Sequence, residues 1–116
     1  MLTAVRGMRV DVEQLVERGL TDDEARAVVY AFIEATPTLL AELTRSRGDA
    51  RQRLAHRLRG AARTVGALEL AAAAAAIEAN PEALDDLRPC YDHAADVLIG
   101  RYGSTPPPPS ERISTL

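Results

Sequence analysis

The chain has 116 residues, a formal net charge of −3, and 47% hydrophobic but only 3% aromatic residues. One domain with a single core is the expectation at this length. The mildly acidic balance and scarce aromatics argue against a general nucleic-acid binder.

The apolar content is mostly Ala, Leu and Val, which suits helices packed closely on small side chains. Residues 1–10 show no clear period and read as a loose arm. Asp11 can cap a short helix over Val12 to Arg18, with Gly19 near its stop. Thr21-Asp22-Asp23-Glu24 reads as a capping box, in which the Thr21 hydroxyl and the Glu24 carboxylate satisfy each other's free amides. A long helix follows, with Ala25, Val28, Val29, Phe32 and Ile33 at helical spacing. Pro37 either kinks this helix or opens a second one capped by Thr36, and the period resumes at Leu39, Leu40 and Leu43. Arg45 to Gly48 is a turn. Asp49 caps the next helix, which runs to about Val65, and Gly66 can end it in a left-handed conformation. Ala67 to Ala79 forms another helix. Asn80-Pro81 reads as a cap with proline at the first helical position, leading to a last helix that reaches about Tyr102 and is kinked or delayed at Pro89. The expectation is an all-α, up-down helical bundle over residues 11–103, with a short extra N-terminal helix. Residues 104–116, with Pro106 to Pro109, read as a disordered tail, either bland or a polyproline patch for a partner.

The informative segment runs from Asp49 to Gly66. Leu54, Leu58, Ala61 and Val65 fall in one stripe at about 100° per residue. His56 stands on the far side of the helix from that stripe. Arg59 and Gly60 follow it at one turn, Arg63 at two turns, and Gln52 and Arg53 precede it by one turn. An imidazole is largely neutral and nucleophilic near neutral pH, and a guanidinium can pair with phosphoryl oxygens. Gly60 costs about 1 kcal/mol in mid-helix relative to alanine, which asks for a reason. Close approach of another protein is one, and close helix packing is another. An exposed His beside arginines is also compatible with a plain solvated surface.

The stretch Ala55-His56-Arg57-Leu58-Arg59-Gly60, followed by Gly66-Ala67, resembles the signature of histidine-containing phosphotransfer (HPt) domains: alanine and histidine, any residue, leucine, lysine, glycine, then a second glycine. Gly48-Asp49, Phe32, Leu70 and Ile77-Glu78 agree with it, and the resemblance covers about residues 11 to 102. It implies a four-helix bundle whose exposed His56 carries a phosphoryl group, on Nε2, between response-regulator receiver domains, with a hybrid histidine kinase as a further partner. It implies no cofactor on this chain, with Mg²⁺ on the receiver, and a monomer, although alanine-rich helices also suit a dimer seam. Arg59 would steady the phosphoryl group, while Gly60, Gln52, Arg53 and Arg63 would form the docking face. Arg59 departs from the family's usual lysine, and Ala61 from a frequent serine.

Arg45, Arg47, Arg51, Arg53, Arg57, Arg59 and Arg63 lie in one stretch with only Asp49 as counter-charge. They suit either steering toward an acidic receiver site or a solvated basic face. A helical interaction module without phosphotransfer is the competing function, and DNA binding through Arg45 to Arg63 a weaker one. Cys90 and His93 at i and i+3 are too few ligands for a structural zinc site. No phosphate-binding glycine loop or Ser-His-Asp set is present, so the expectation is a carrier, not an independent enzyme. The lone Cys90, the lack of a signal-like start and the lack of a long apolar run suggest a cytoplasmic protein without membrane contact.

Overall fold

The computed structural model describes residues 10–103. Five helices follow in order: α1 (Gln14–Glu17), α2 (Asp22–Arg45), α3 (Gly48–Thr64), α4 (Leu68–Ala79) and α5 (Leu87–Tyr102). Short connections join helices that pack as neighbours, and α2 closes the ring against α5, so α2 to α5 form the expected up-down four-helix bundle. The expectations for residues 1–9 and 104–116 lie outside the described residues. Val10 is described, and it forms an antiparallel bridge with Ala67.

The α2 capping box forms as the residues predict: Glu24 N donates to Thr21 Oγ1 at 3.1 Å, and Thr21 N donates to Glu24 Oε1 at 2.9 Å. Pro37 does not split this helix. It removes the N–H that would bond the Ile33 carbonyl, and Tyr91 Oη on α5 donates to that carbonyl instead, at 3.1 Å. Burial pushes the Tyr91 phenol upward, so it stays a donor. At 24 residues, α2 is long and apolar enough, by length and composition, to cross a membrane, contrary to the sequence expectation. Its buried side, Ala25, Val29, Phe32, Thr36, Leu40 and Leu43, faces the bundle.

The inward stripe of α3 is not Leu54, Leu58, Ala61 and Val65. It is Arg51, Ala55, Leu58 and Ala62, continued by Val65; Leu54 is only partly buried and Ala61 is exposed. Two causes rotate it. Ala55 and Ala62 are buried on α3, and its neighbour α4 buries Ala71, Ala73 and Ala74, so small side chains permit close approach of the two helices. Arg51 turns inward because the last carbonyls of α2 have no helical partners. Its guanidinium donates to Leu43 O and Thr44 O, both at 3.1 Å, and to Pro81 O at 2.6 Å. A cation there also meets the negative end of the α2 dipole. Arg51 is therefore structural and leaves the basic docking patch.

Three local expectations need correction. Helix α1 is shorter than Val12–Arg18. Asp49 lies inside the first turn of α3 and makes no capping bond; Arg47 is the cap residue. Asn80 ends α4 rather than opening the last helix, which starts only at Leu87. Pro89 then falls in the first turn, where no backbone donor is needed.

The hairpin between α3 and α4 turns at Gly66, where φ is +80° and a Cβ would collide with the Asp11 carbonyl. Asp11 N donates to Gly66 O at 2.7 Å, Gln14 Nε2 donates to Arg63 O, and Tyr102 Oη donates to Val12 O at 2.7 Å. The N-terminal segment thus fastens the top of the hairpin to α5.

Arg51→Met should lower the urea-unfolding free energy by about 2–4 kcal/mol, because three carbonyls lose a charged donor. Tyr91→Phe should cost about 1–2 kcal/mol, the penalty of one stranded half-buried carbonyl. Losses under about 0.5 kcal/mol in either variant would mean that water replaces the missing donors.

Candidate functional site

His56 sits midway along α3, and its side chain is 67% exposed. Its partner comes from α4. His56 and Glu78 are 22 residues apart, with Ala67 of the tight turn midway between them. Antiparallel helices folded about that turn bring the two side by side. Glu78 Oε2 lies 2.8 Å from His56 Nδ1, and Glu78 is itself only 23% exposed.

Arg59 completes the triangle. Its Nε is 3.1 Å from Glu78 Oε1, an ion pair rather than a well-aimed hydrogen bond, and its Nη2 is 3.0 Å from His56 Nδ1. The two contacts on Nδ1 cannot both be hydrogen bonds. Accepting from Arg59 requires a bare nitrogen, which would set a lone pair against the carboxylate. The Glu78 contact is the shorter and is charge-assisted, so Nδ1 carries the proton and donates it to Glu78. Arg59 then lies beside the ring, held by Oε1. In the neutral ring this tautomer places the in-plane lone pair, the requirement for a nucleophilic imidazole, on Nε2.

Asp49, Gln52, Arg53, His56, Arg57 and Glu78 line one shallow hollow. Gln52 Nε2 donates to the Glu78 backbone carbonyl at 2.8 Å, so it ties α4 to α3 rather than facing outward freely. Arg53 is exposed on the rim. Gly60 is exposed, and a Cβ there would meet nothing within 4 Å, so close helix packing is not the reason for this glycine. Arg63 is exposed two turns away, outside the hollow. Arg57 also borders an apolar groove between α2 and α3, lined by Val28, Phe32, Leu39, Ala61 and Val65. Of the seven-arginine stretch, Arg53 and Arg57 flank the histidine, Arg59 is paired, and Arg51 is buried.

Glu78 enters the sequence reading only as a residue that agrees with the HPt pattern, without a place at the site. Its signal is present, because a residue as far past the turn as His56 is before it must stand beside His56. Cys90 points into the core, and burial, reinforced by Asp86 and Glu69, pushes its thiol upward. No group of three or more metal-ligating side chains occurs among the described residues.

Gly60→Ala should stabilise the fold by about 1 kcal/mol in urea unfolding, the helix-propensity difference without a steric penalty. A loss of stability would reveal a close contact at that position. In Glu78→Ala nothing holds the proton on Nδ1, so ¹⁵N spectra of His56 should change from the Nδ1–H form to a mixture of tautomers. Unchanged spectra would remove Glu78 from this role.

A search of curated proteins and a search of solved structures returned no match. The family model for the Hpt domain matches residues 27–98, which span the greater part of α2, all of α3 and α4, and most of α5. That segment carries His56, Arg59 and Glu78 and makes up more than half of the sequence. The chain belongs to the Hpt-domain family, the histidine phosphotransfer modules of phosphorelays.

Proposed function

We propose that this chain is a phosphoryl carrier in which His56 Nε2 accepts a phosphoryl group from the aspartyl phosphate of one receiver domain and passes it to another. The observation that carries this is the state of the ring: His56 stands 67% exposed on an Hpt domain, with Nδ1 turned to Glu78.

In the forward step the Nε2 lone pair attacks phosphorus, an N–P bond forms, and the acyl-phosphate P–O bond breaks to free the aspartate carboxylate. Nδ1 keeps its proton throughout, and the positive charge arising on the ring is balanced by Glu78. The reverse step regenerates neutral imidazole as the leaving group. Such transfer is governed by positioning and charge, not by covalent help from the protein. Mg²⁺ belongs to the partner receiver in this scheme. The bare surface at Gly60 leaves room for a docking loop, and Arg53 and Arg57 supply positive charge toward an acidic receiver. The apolar groove beside Arg57 extends the contact area.

The test is transfer from a panel of receiver domains, each charged by its kinase with labelled ATP, to the wild type and to His56→Gln. Acid-labile, base-stable label on the wild type alone is the expected outcome. If no charged receiver labels the wild type, a helical adaptor without phosphotransfer becomes the better account.

A further inference from the structure

We propose that Glu78 is a positioning residue that holds Arg59 away from the phosphoryl-accepting edge of His56 in the empty protein and yields it to the phosphoryl group in the loaded one. The proposal rests on the carrier role given above and specifies how its site changes between two states.

The geometry presents a conflict. A cation that steadies a phosphoryl group on Nε2 must lie on that edge of the ring. Arg59 instead lies on the opposite edge, with Nε 3.1 Å from Glu78 Oε1 and Nη2 3.0 Å from Nδ1. Glu78 therefore serves two groups at once, the Nδ1 proton through Oε2 and the guanidinium through Oε1. Only the first is needed once the N–P bond exists. A phosphoryl group brings two negative charges and three acceptor oxygens, against the single charge and two oxygens of a carboxylate. His56 and Arg59 are neighbours at i and i+3 on one helix, so the guanidinium can exchange partners by side-chain rotation, without backbone movement. The other charged groups around the hollow differ from it: Asp49 is acidic, and Arg53 and Arg57 line the hollow as cations that Glu78 does not hold, so the charge state of Glu78 acts on Arg59.

The consequence is a competition. While Glu78 is charged, it draws Arg59 back and lowers the hold on the phosphoryl group. Glu78→Gln keeps a carbonyl oxygen to accept from Nδ1–H but loses the charge that retains Arg59. The loaded state should then last longer, because an interaction stronger in the ground state than in the transition state slows the reaction.

The experiment loads the full chain with potassium phosphoramidate, which needs no partner protein. Nε2 bonds to phosphorus, and the P–N bond of the N-protonated phosphoramidate breaks, so that neutral ammonia leaves. Decay of the phosphohistidine by hydrolysis is then followed by ³¹P NMR in the wild type, Glu78→Gln, Arg59→Ala and the double variant, with thermal melts to establish that each is folded. The expected result is an about three- to fivefold longer lifetime for Glu78→Gln, as befits a partly exposed ion pair. Arg59→Ala should shorten the lifetime, and the double variant should match Arg59→Ala, because the effect of Glu78 runs through Arg59. The ¹⁵N tautomer of His56 should be the same in Glu78→Gln as in the wild type. Equal lifetimes in the wild type and Glu78→Gln, or a lengthening that survives in the double variant, would overturn the proposal, as would failure of the wild type to load. Because loading is chemical, a failed receiver panel alongside the expected lifetimes would remove the relay role and leave the exchange of Arg59 standing.

Discussion

Everything at the site depends on the register of one helical hairpin. Helices α3 and α4 fold back on each other about Gly66 and Ala67, and that turn decides that residue 78 lies beside residue 56. The turn tolerates no side chain at Gly66, where the Asp11 carbonyl occupies the space a Cβ would need. The helices can also come close, because α4 buries Ala71, Ala73 and Ala74 against its neighbours. Helix axes separate by about 8–10 Å according to the side chains between them, and alanine favours the short end. At that spacing a glutamate on α4 spans the gap to an imidazole on the outer flank of α3. A larger residue in the alanine run would widen the gap and weaken the contact without touching either partner.

Much of this is legible in the residues alone. Thr21 and Glu24 announce the start of α2, Gly66 the end of α3, and the motif around His56 the exposed histidine. The error in the α3 stripe arises because pattern reading assigns burial by polarity. Arg51 looks like surface because it is charged, yet it is 7% exposed with three carbonyls around its guanidinium. Counting Arg51 as outward shifts the apparent stripe to Leu54 and Ala61, one position from the faces that turn inward. Glu78 is missed at the site for a separate reason. Its role needs a distance across two helices, and a helix with an unbroken run of alanine from Ala71 to Ala76 has no amphipathic period from which to read its orientation. Asn80-Pro81 misleads because the same pair serves a helix end as readily as a helix start.

The buried polar groups explain how a bundle with so little aromatic mass keeps its helices in place. Small side chains make smooth interfaces that define axial position poorly. Arg51 supplies it by gripping the end of α2 and the loop at Pro81 together. Tyr91 does so by repairing the carbonyl that Pro37 leaves open, which sets the height of α5 against α2. Tyr102 repeats the device at the other end through the Val12 carbonyl. Each of these bonds is directional and buried or half-buried, so a slip of one helix past another strands a backbone group. The hairpin register that aligns His56 with Glu78 is thereby protected from outside the hairpin.

The arginine at position 59, where the resembling family has lysine, fits this frame. An ammonium is a compact point charge that rests on one partner at a time. A guanidinium spreads its charge over a plane with five donors, so Arg59 can set Nε against Glu78 while Nη2 lies at the edge of the imidazole. It therefore links α3, α4 and the reactive ring in a single contact set. A lysine would bridge those three partners less effectively. In the structure the guanidinium thus touches the Glu78 carboxylate and the imidazole edge at once, a contact set that a point-like ammonium spans less readily.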